Sequence, residues 1–193
     1  MYFFGSDQHF GHRNILLHTP RPYPNIEDHD IDVIKRHNAV VSDGDEYWGL
    51  GDIGFRCPAH HVRDCLSQMN GHLNIILGNH DKPLRQALKK GLMDALLKKD
   101  KVRIIGSVDP TEAMIKTISV EGRRLVLCHY SLRSWPGAFR GAIHLYGHSH
   151  EKCPSYFKSF NVCLDQNQCM PFAADDIFDR ADSYKDEFRE LDV

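Results

Sequence analysis

Five short apolar runs in this sequence are each followed at once by side chains that can hold a metal ion. Tyr2-Phe3-Phe4 leads into Gly5-Ser6-Asp7-Gln8-His9, and the run from Glu46 to Leu50 leads into Gly51-Asp52. Leu73 to Leu77 is followed by Gly78-Asn79-His80-Asp81, Leu125 to Cys128 by His129, and Ala142 to Tyr146 by Gly147-His148-Ser149-His150. In an extended segment, residues two apart project to the same side, so Asp7 with His9, and His148 with His150, can each aim at one point. Glycine ahead of the polar residue permits a sharp turn or a close backbone approach. Any one of these pairs is commonplace in a loop. Coincidental polar loop starts would not all be metal-capable, and the chain carries 13 histidines, the commonest metal ligand and the side chain that titrates near neutrality.

To bring five such ends together, the apolar runs must be strands of α/β architecture, in which ligands bind beyond the carboxyl ends of the strands. Arg103 to Ile105, Met114 to Ile118 and Phe160 to Leu164 read as further strands. Helices are expected over 28–41, with Ile31, Ile34, Val40 and Val41 inward, over 58–69, opened by Pro58, and over 83–97, broken at Gly91. The charged end, 180–193, reads as a surface helix or a frayed tail. Between 101 and 128, β-rich segments follow one another with Gly106, Asp109-Pro110 and Glu121-Gly122 as turns. The first half therefore reads as βαβ-like and the second as more antiparallel, in two sheets or one mixed sheet.

The 193 residues fit a single domain, 1–193, at roughly 100–200 residues per domain. Apolar residues at 41% and charged residues at 26% exclude collagen-like, coiled-coil and disordered chains. The sequence contains no run of about 18 apolar residues that could span a membrane, and no signal peptide is evident, so a cytoplasmic location is expected. A net charge of −2 gives no global field for nucleic acid. Cys57, Cys65, Cys128, Cys153, Cys163 and Cys169 include no C-x-x-C pair and read as mostly structural reduced thiols.

Asp7-Gln8-His9, Gly51-Asp52, Gly78 to Asp81, His129 and Gly147 to His150 together resemble the motif series of the calcineurin-like metallophosphoesterase superfamily. The segments 7–15, 21–41, 128–135 and 161–165 are similar to a small single-domain bacterial and phage branch, so the resemblance runs from residue 1 to about 172. It implies a four-layer α/β/β/α sandwich with a dinuclear metal centre at one edge. Carried over by position, Asp7, His9, Asp52 and His150 hold one ion, and Asp52, Asn79, His129 and His148 the other, with Asp52 bridging. Four imidazoles disfavour Mg²⁺, and the lack of thiolates disfavours a structural zinc, leaving Mn²⁺ first, with Fe or Zn²⁺ as alternatives. His80 matches the superfamily's catalytic histidine, and Asp81 is expected to hold the His80 tautomer or orient a ligand. The implied chemistry is in-line attack on phosphorus by a metal-bridging hydroxide.

His12 and Arg13 follow the first ligand pair and are candidate substrate contacts, Arg through bidentate phosphate binding. Trp135 is open between stacking on a leaving group and anchoring a loop. His18, His29, His37, His60, His61 and His72 read as structural, and His144 as buried within a strand. Asp28 to Asp32 fails as a calcium loop, because Val33 and Ala39 stand where Gly and Glu are required. The basic stretch 82–103 is a solvated face or a patch for a polyanion. The resulting expectation is a phosphodiesterase acting on a phosphoester small molecule. A nuclease and a phosphomonoesterase are the alternatives, and a non-catalytic scaffold is disfavoured because all the ligand positions and His80 are present. Gly51-Asp52 continues as Ile53-Gly54-Phe55 and lacks the D-R-G element of the protein phosphatase branch. Neither a membrane partner nor an oligomeric state is indicated.

Overall fold

The computed structural model describes residues 1–109 and 112–184. The chain runs β1 (Tyr2–Gly5), α1 (Ile15–His18), α2 (Ile26–Val40), β2 (Glu46–Gly49), α3 (Ala59–Gln68), β3 (His72–Ile76), α4 (Lys82–Lys89), α5 (Asp94–Lys98) and β4 (Val102–Ile105). It continues through β5 (Ile115–Val120), β6 (Arg123–Cys128), β7 (Ile143–Tyr146), β8 (Ser159–Asn161), β9 (Phe172–Ala173) and α6 (Ala174–Ser183). Two mixed sheets result. The first has the order β4-β3-β2-β1-β9, parallel except for β9, and the second the order β5-β6-β7-β8.

The expectation of a more antiparallel second half holds for β5–β6 and for β9, and needs correction for β7 and β8. There β5 and β6 pair antiparallel, but β6–β7 and β7–β8 are parallel, each joined by a crossover segment long enough for parallel pairing. Parallel pairing is what carries His129 and His148 to the same end of the sheet.

Alternation along the strands divides the core. Phe3, Tyr47, Leu73 and Ile75 face α2, α3 and α4, whereas Phe4, Trp48 and Ile76 face Leu125, Leu127, Leu145 and Phe160 of the second sheet. On the outer side of the second sheet, Val126 packs against Trp135, Ala138 and Ala142. No helix among the described residues is long and apolar enough to cross a membrane.

Other boundaries also move. Helix α2 starts at Ile26, where the Asn25 side chain accepts the Asp28 N–H. Its inward face is only partly the expected one: Val41 is buried and Ile34 packs against the core, but Ile31 is 67% exposed and Val40 is exposed too, while His29, Asp30, Val33 and His37 are buried. The helix is rotated because Asp30 and His29 have polar partners inside the protein. The helical stretch 83–97 does break at Gly91, where φ is +69°. The strand expected over Phe160 to Leu164 ends at Asn161, since Cys163 crosses over to bridge Ser6 beyond β1. The terminal helix begins at Ala174, earlier than the expected 180–193 segment, whose residues 185–193, like Pro110 of the 109–110 turn, lie outside the described residues.

Candidate metal centre

Parallel register sets the strand ends side by side. Gly5 pairs with Gly49, and beyond them Asp7 N–H donates to Gly51 O (2.9 Å) and His9 N–H to Asp52 O (3.0 Å). In the second sheet Gly147 N–H donates to His129 O at 2.9 Å. Glycine lets the ends close on one another. A Cβ on Gly51, at φ +97°, would lie 2.6 Å from Gly78 N and 2.7 Å from His129 Nδ1, and one on Gly147 would overlap Ser6.

Asp7, His9, Asp52, Asn79, His129, His148 and His150 are brought together at this edge. Asp7, His9 and His150 offer ligand atoms within 4.8 Å of one another, and so do Asp52, His129 and His148. Asn79 Oδ1 lies 3.0 Å from His129 Nε2. The backbone here is strained: Asp7, His9, Asp52, His148 and His150 have φ of 63°, 56°, 54°, 67° and 48°. Non-glycine residues rarely sit in this left-handed region, and such strain gathers at functional sites.

Asp7, Asp52, His129 and His150 are each anchored by a hydrogen bond on the side away from the gap. Asp7 Oδ2 accepts from His148 N–H (2.9 Å) and Cys163 Sγ–H (2.9 Å). Its Oδ1 has no partner, nor has either ring nitrogen of His9, although Asp7 and His9 are 0% and 2% exposed. Asp52 Oδ1 accepts the His80 N–H at 2.8 Å. His129 Nδ1–H donates to Leu50 O at 2.7 Å, which turns Nε2 toward Asn79 Oδ1 and Asp52. The atoms facing one another across the gap stand 3.6 Å (Asp7 Oδ1 to His9 Nε2), 3.9 Å (Asp7 Oδ1 to His150 Nε2) and 3.4 Å (Asp52 Oδ2 to His129 Nε2) apart. Those gaps are long for hydrogen bonds. They match donors lying roughly 2.0–2.2 Å from a common cation, about 3–4 Å from each other. The residues present therefore fit divalent ions.

Electrostatics agrees with the donor set. Burial pushes the Asp7 carboxyl up, but His9, His129 and His150 outweigh it and hold the group well below the usual carboxylate range. Burial pushes His129 down, and the adjacent Asp52 carboxylate reverses this, holding it up at about 9. His80 is half-buried, its ring 5.9 Å from His9 and 4.3 Å from Phe55, and burial holds it below its ordinary value. His12 sits in the same group, 5.2 Å from His9, with its pKa lowered to about 4, chiefly by burial.

One expectation needs correction and two that had alternatives are narrowed. Arg13 forms an exposed ion pair with Glu27 (3.0 Å), because Glu27 in the first turn of α2 offers a closer carboxylate than the buried cluster. Of the two roles expected for Asp81, holding His80 is not observed, and orienting a candidate ligand is, through the backbone of Asp52. The Asp81 carboxylate accepts N–H groups from Asp52 (2.9 Å), Ile53 (2.7 Å), Gly54 (3.3 Å) and Gly78 (2.7 Å), tying the second and third strand ends together. Burial, and then Asp52, push its pKa up to about 7. The 82–103 stretch is not a free basic patch throughout: Arg85 donates to Gly78 O (2.9 Å), and Arg103 is engaged by Asp100 and Glu46. Trp135 is 7% exposed and its Nε1–H donates to Ala142 O, so its packing role is the observed one. His144 is likewise a buried strut, donating Nδ1–H to Val126 O and accepting the Leu132 N–H.

Arg21 and Asp165 escaped the sequence reading. They form a buried ion pair at 2.7 Å, and Asp165 also accepts His150 Nδ1–H at 2.6 Å. The available signal was charge in an apolar setting, in Pro20-Arg21-Pro22 and in Val162-Cys163-Leu164-Asp165.

No family model matches the sequence. The chain is 41% identical over 78 residues to an uncharacterized protein of Methanocaldococcus jannaschii, covering 40% of this chain and 44% of that protein. It is 37% identical over 82 residues to the Gene 66 protein of Mycobacterium phage L5, covering 42% and 39%. The matches thus span less than half the length of these curated relatives. Among solved structures, a protein of unknown function from Aquifex aeolicus superposes with a TM-score of 0.67 at 20% identity, over 93% of this chain and 98% of that one. That likeness is one of fold.

Proposed function

We propose that the protein is a dinuclear-metal-dependent phosphoesterase of the calcineurin-like kind, and within that class a phosphodiesterase acting on a small or flexible substrate. The observation that carries this reading is the unpaired, buried state of Asp7 Oδ1 and of both nitrogens of His9. Polar atoms withheld from water are costly unless a partner satisfies them, and the neighbouring donors are carboxylate, imidazole and amide oxygen. In this reading Asp7, His9, Asp52 and His150 hold one ion, and Asp52, Asn79, His129 and His148 the other. Asp52 Oδ2 lies 3.9 Å from His9 Nε2 and 3.4 Å from His129 Nε2, between the two groups, and is the shared ligand. The two sheets and their flanking segments are read as an α/β/β/α sandwich whose second outer layer is reduced to the stretch around Trp135.

A pair of divalent cations, Mn²⁺ first, supplies water activated near neutral pH and charge to neutralise a phosphoryl group. The chain's own groups do the rest. His80, held below its ordinary pKa, presents a neutral imidazole N–H to a phosphoryl or leaving-group oxygen. Asp81 keeps the Asp52 and Gly78 loops at fixed separation through its four backbone bonds. His12, packed edge-on to Phe55 at 4.6 Å, walls the side next to His9.

The choice of diester over monoester follows the resemblance of the small uncapped branch. Reconstitution with Mn²⁺, metal analysis, and hydrolysis of bis-p-nitrophenyl phosphate against p-nitrophenyl phosphate test the whole reading. Two ions per chain and faster diester cleavage are expected. A chain that keeps no Mn²⁺ through gel filtration overturns it, and faster monoester cleavage replaces the diesterase with a monoesterase.

A further inference from the structure

We propose that Arg21 and Asp165 are positioning residues for one half of the metal centre, the half built from Asp7, His9 and His150, and that the other half does not depend on them. The proposal rests on the dinuclear reading above.

The two side chains are 1% and 0% exposed. Every N–H of the Arg21 guanidinium is spent. Nε–H and one Nη2–H form a fork on Asp165, at 2.7 and 3.1 Å. The remaining Nη2–H donates to Asp7 O (2.6 Å), and Nη1 donates to Gln8 O (2.9 Å) and to His29 Nε2 (2.8 Å). Five donors and five acceptors leave nothing over. Lysine, with three donors and no plane, cannot reproduce this set.

Two consequences converge on the same half-site. First, Arg21 grips the carbonyls of Asp7 and Gln8, inside the segment where Asp7 and His9 hold left-handed backbone. Because arginine only donates, His29 Nε2 must accept, so His29 Nδ1–H donates to Asp30 Oδ1 at 2.7 Å. Asp30 Oδ2 in turn accepts the Gly11 N–H at 2.9 Å, so the strained segment is held on both sides of His9. Second, Asp165 Oδ2 takes the Nδ1–H of His150, which leaves His150 Nε2 bare and 3.9 Å from the unpaired Asp7 Oδ1. A histidine ligand is commonly fixed in tautomer and orientation in this way.

The second half is held by other means, apart from the His148 N–H on Asp7 Oδ2. His129 is oriented by Leu50 O, and Asp52 by the His80 N–H with Asp81 beneath its loop. Among the described residues, no hydrogen bond runs from Arg21 or Asp165 to Asn79, His129 or His148.

Asp165→Asn is the diagnostic substitution. The charged Arg21 fork competes for the single amide oxygen, which turns the NH₂ toward His150. Nδ1 must then accept, and the ring proton moves to Nε2, the atom needed for the metal. The measurement is Mn²⁺ calorimetry with electron paramagnetic resonance on the full chain. Wild type is expected to bind two ions with an exchange-coupled spectrum. Asp165→Asn should keep one tight ion with a six-line, uncoupled spectrum and bind the second about 10–100-fold more weakly. If the lone arginine charge unfolds that variant, Arg21→Gln with Asp165→Asn removes both charges and should give the same split, with thermal melts reporting foldedness. Equal weakening of both ions, or two ions still coupled at wild-type affinity, overturns the selective role. Wild type binding fewer than two ions overturns the dinuclear reading first, and this proposal with it.

Discussion

Two places among the described residues gather metal-capable side chains, and they differ in what those side chains already hold. At the strand ends Asp7, His9 and His150 stand beside Asp52, His129 and His148; between α2 and α3 stand Asp30, His61 and Cys65. In the second cluster every carboxylate oxygen is occupied. Asp30 Oδ1 takes a proton donor from His29, and Oδ2 accepts from Gly11 N–H and from His61 Nε2–H at 2.6 Å, with Cys65 Sγ 3.7 Å from that nitrogen. Its backbone is regular helix. At the strand ends the situation is reversed, with bare buried atoms at Asp7 and His9 and five left-handed residues. Composition alone would rank the clusters alike. What separates them is unsatisfied polar atoms held in place by strain, because buried polar groups ordinarily find partners and strained backbone persists only where its surroundings enforce it.

The largest effect that can test this contrast is at Asp52. Asp52→Asn removes the negative charge shared between the two groups, so both ions should be lost. The rate should then fall by more than the roughly 10²–10³-fold cost of deleting one charge-stabilising donor. Metal content per chain and diester turnover check it, and a variant that keeps two ions at wild-type rate erases the distinction between the clusters. Next in size is His80→Ala. It should retain both ions and lose about 10²–10³ in rate, since an N–H aimed at the reacting group is removed while the ligands stay. A metal-free His80→Ala protein would mean that His80 supports the centre instead of the reaction.

The strand-end cluster was legible because its members obey local rules. Each follows an apolar run within a few residues, and parallel pairing sets the ends of those runs side by side. The part that was not legible depends on long-range crossings. Asp165 reaches His150 because the chain leaves β8 and bridges Ser6 at Cys163, and Arg21 meets Asp165 across 144 residues. No local periodicity encodes that meeting. The inward face of α2 holds Ile34 and Val41 as expected and departs from the pattern elsewhere for a related reason. Apolar spacing pointed to Ile31 and Val40, whereas Asp30 and His29 turn inward because Gly11, His61 and Arg21 await them there. Polar satisfaction overrode the hydrophobic pattern.

A smaller effect is expected at the satisfied cluster. His61→Ala and Cys65→Ser should leave Mn²⁺ stoichiometry at two per chain and turnover within about twofold. Each should cost stability on the order of 1 kcal/mol, the net worth of one hydrogen bond or less, since Asp30 keeps its bonds to His29 and Gly11. Thermal melts and metal analysis measure both. A drop in bound metal from three ions to two in these variants would show that the α2–α3 cluster also holds an ion, and that pairing is no guide to ligation.

The smallest effect belongs to Arg13, whose place just after the first ligand pair made it a candidate for phosphate. Its guanidinium meets Glu27 with side-chain exposures of 79% and 61%, an arrangement in which solvent screens most of the attraction. Arg13→Ala should therefore leave KM for a model diester unchanged within about twofold, since removing an exposed pair worth roughly 0–1 kcal/mol disturbs neither the ligands nor His80. The proper control is Glu27→Ala, which frees Arg13 without deleting it. If that variant lowers KM while Arg13→Ala raises it, the ion pair is a resting position, and Arg13 swings to the phosphate when substrate arrives. If neither moves KM, nearness along the chain to a ligand pair is not nearness to the chemistry, and substrate recognition lies with the half-buried His12 and His80.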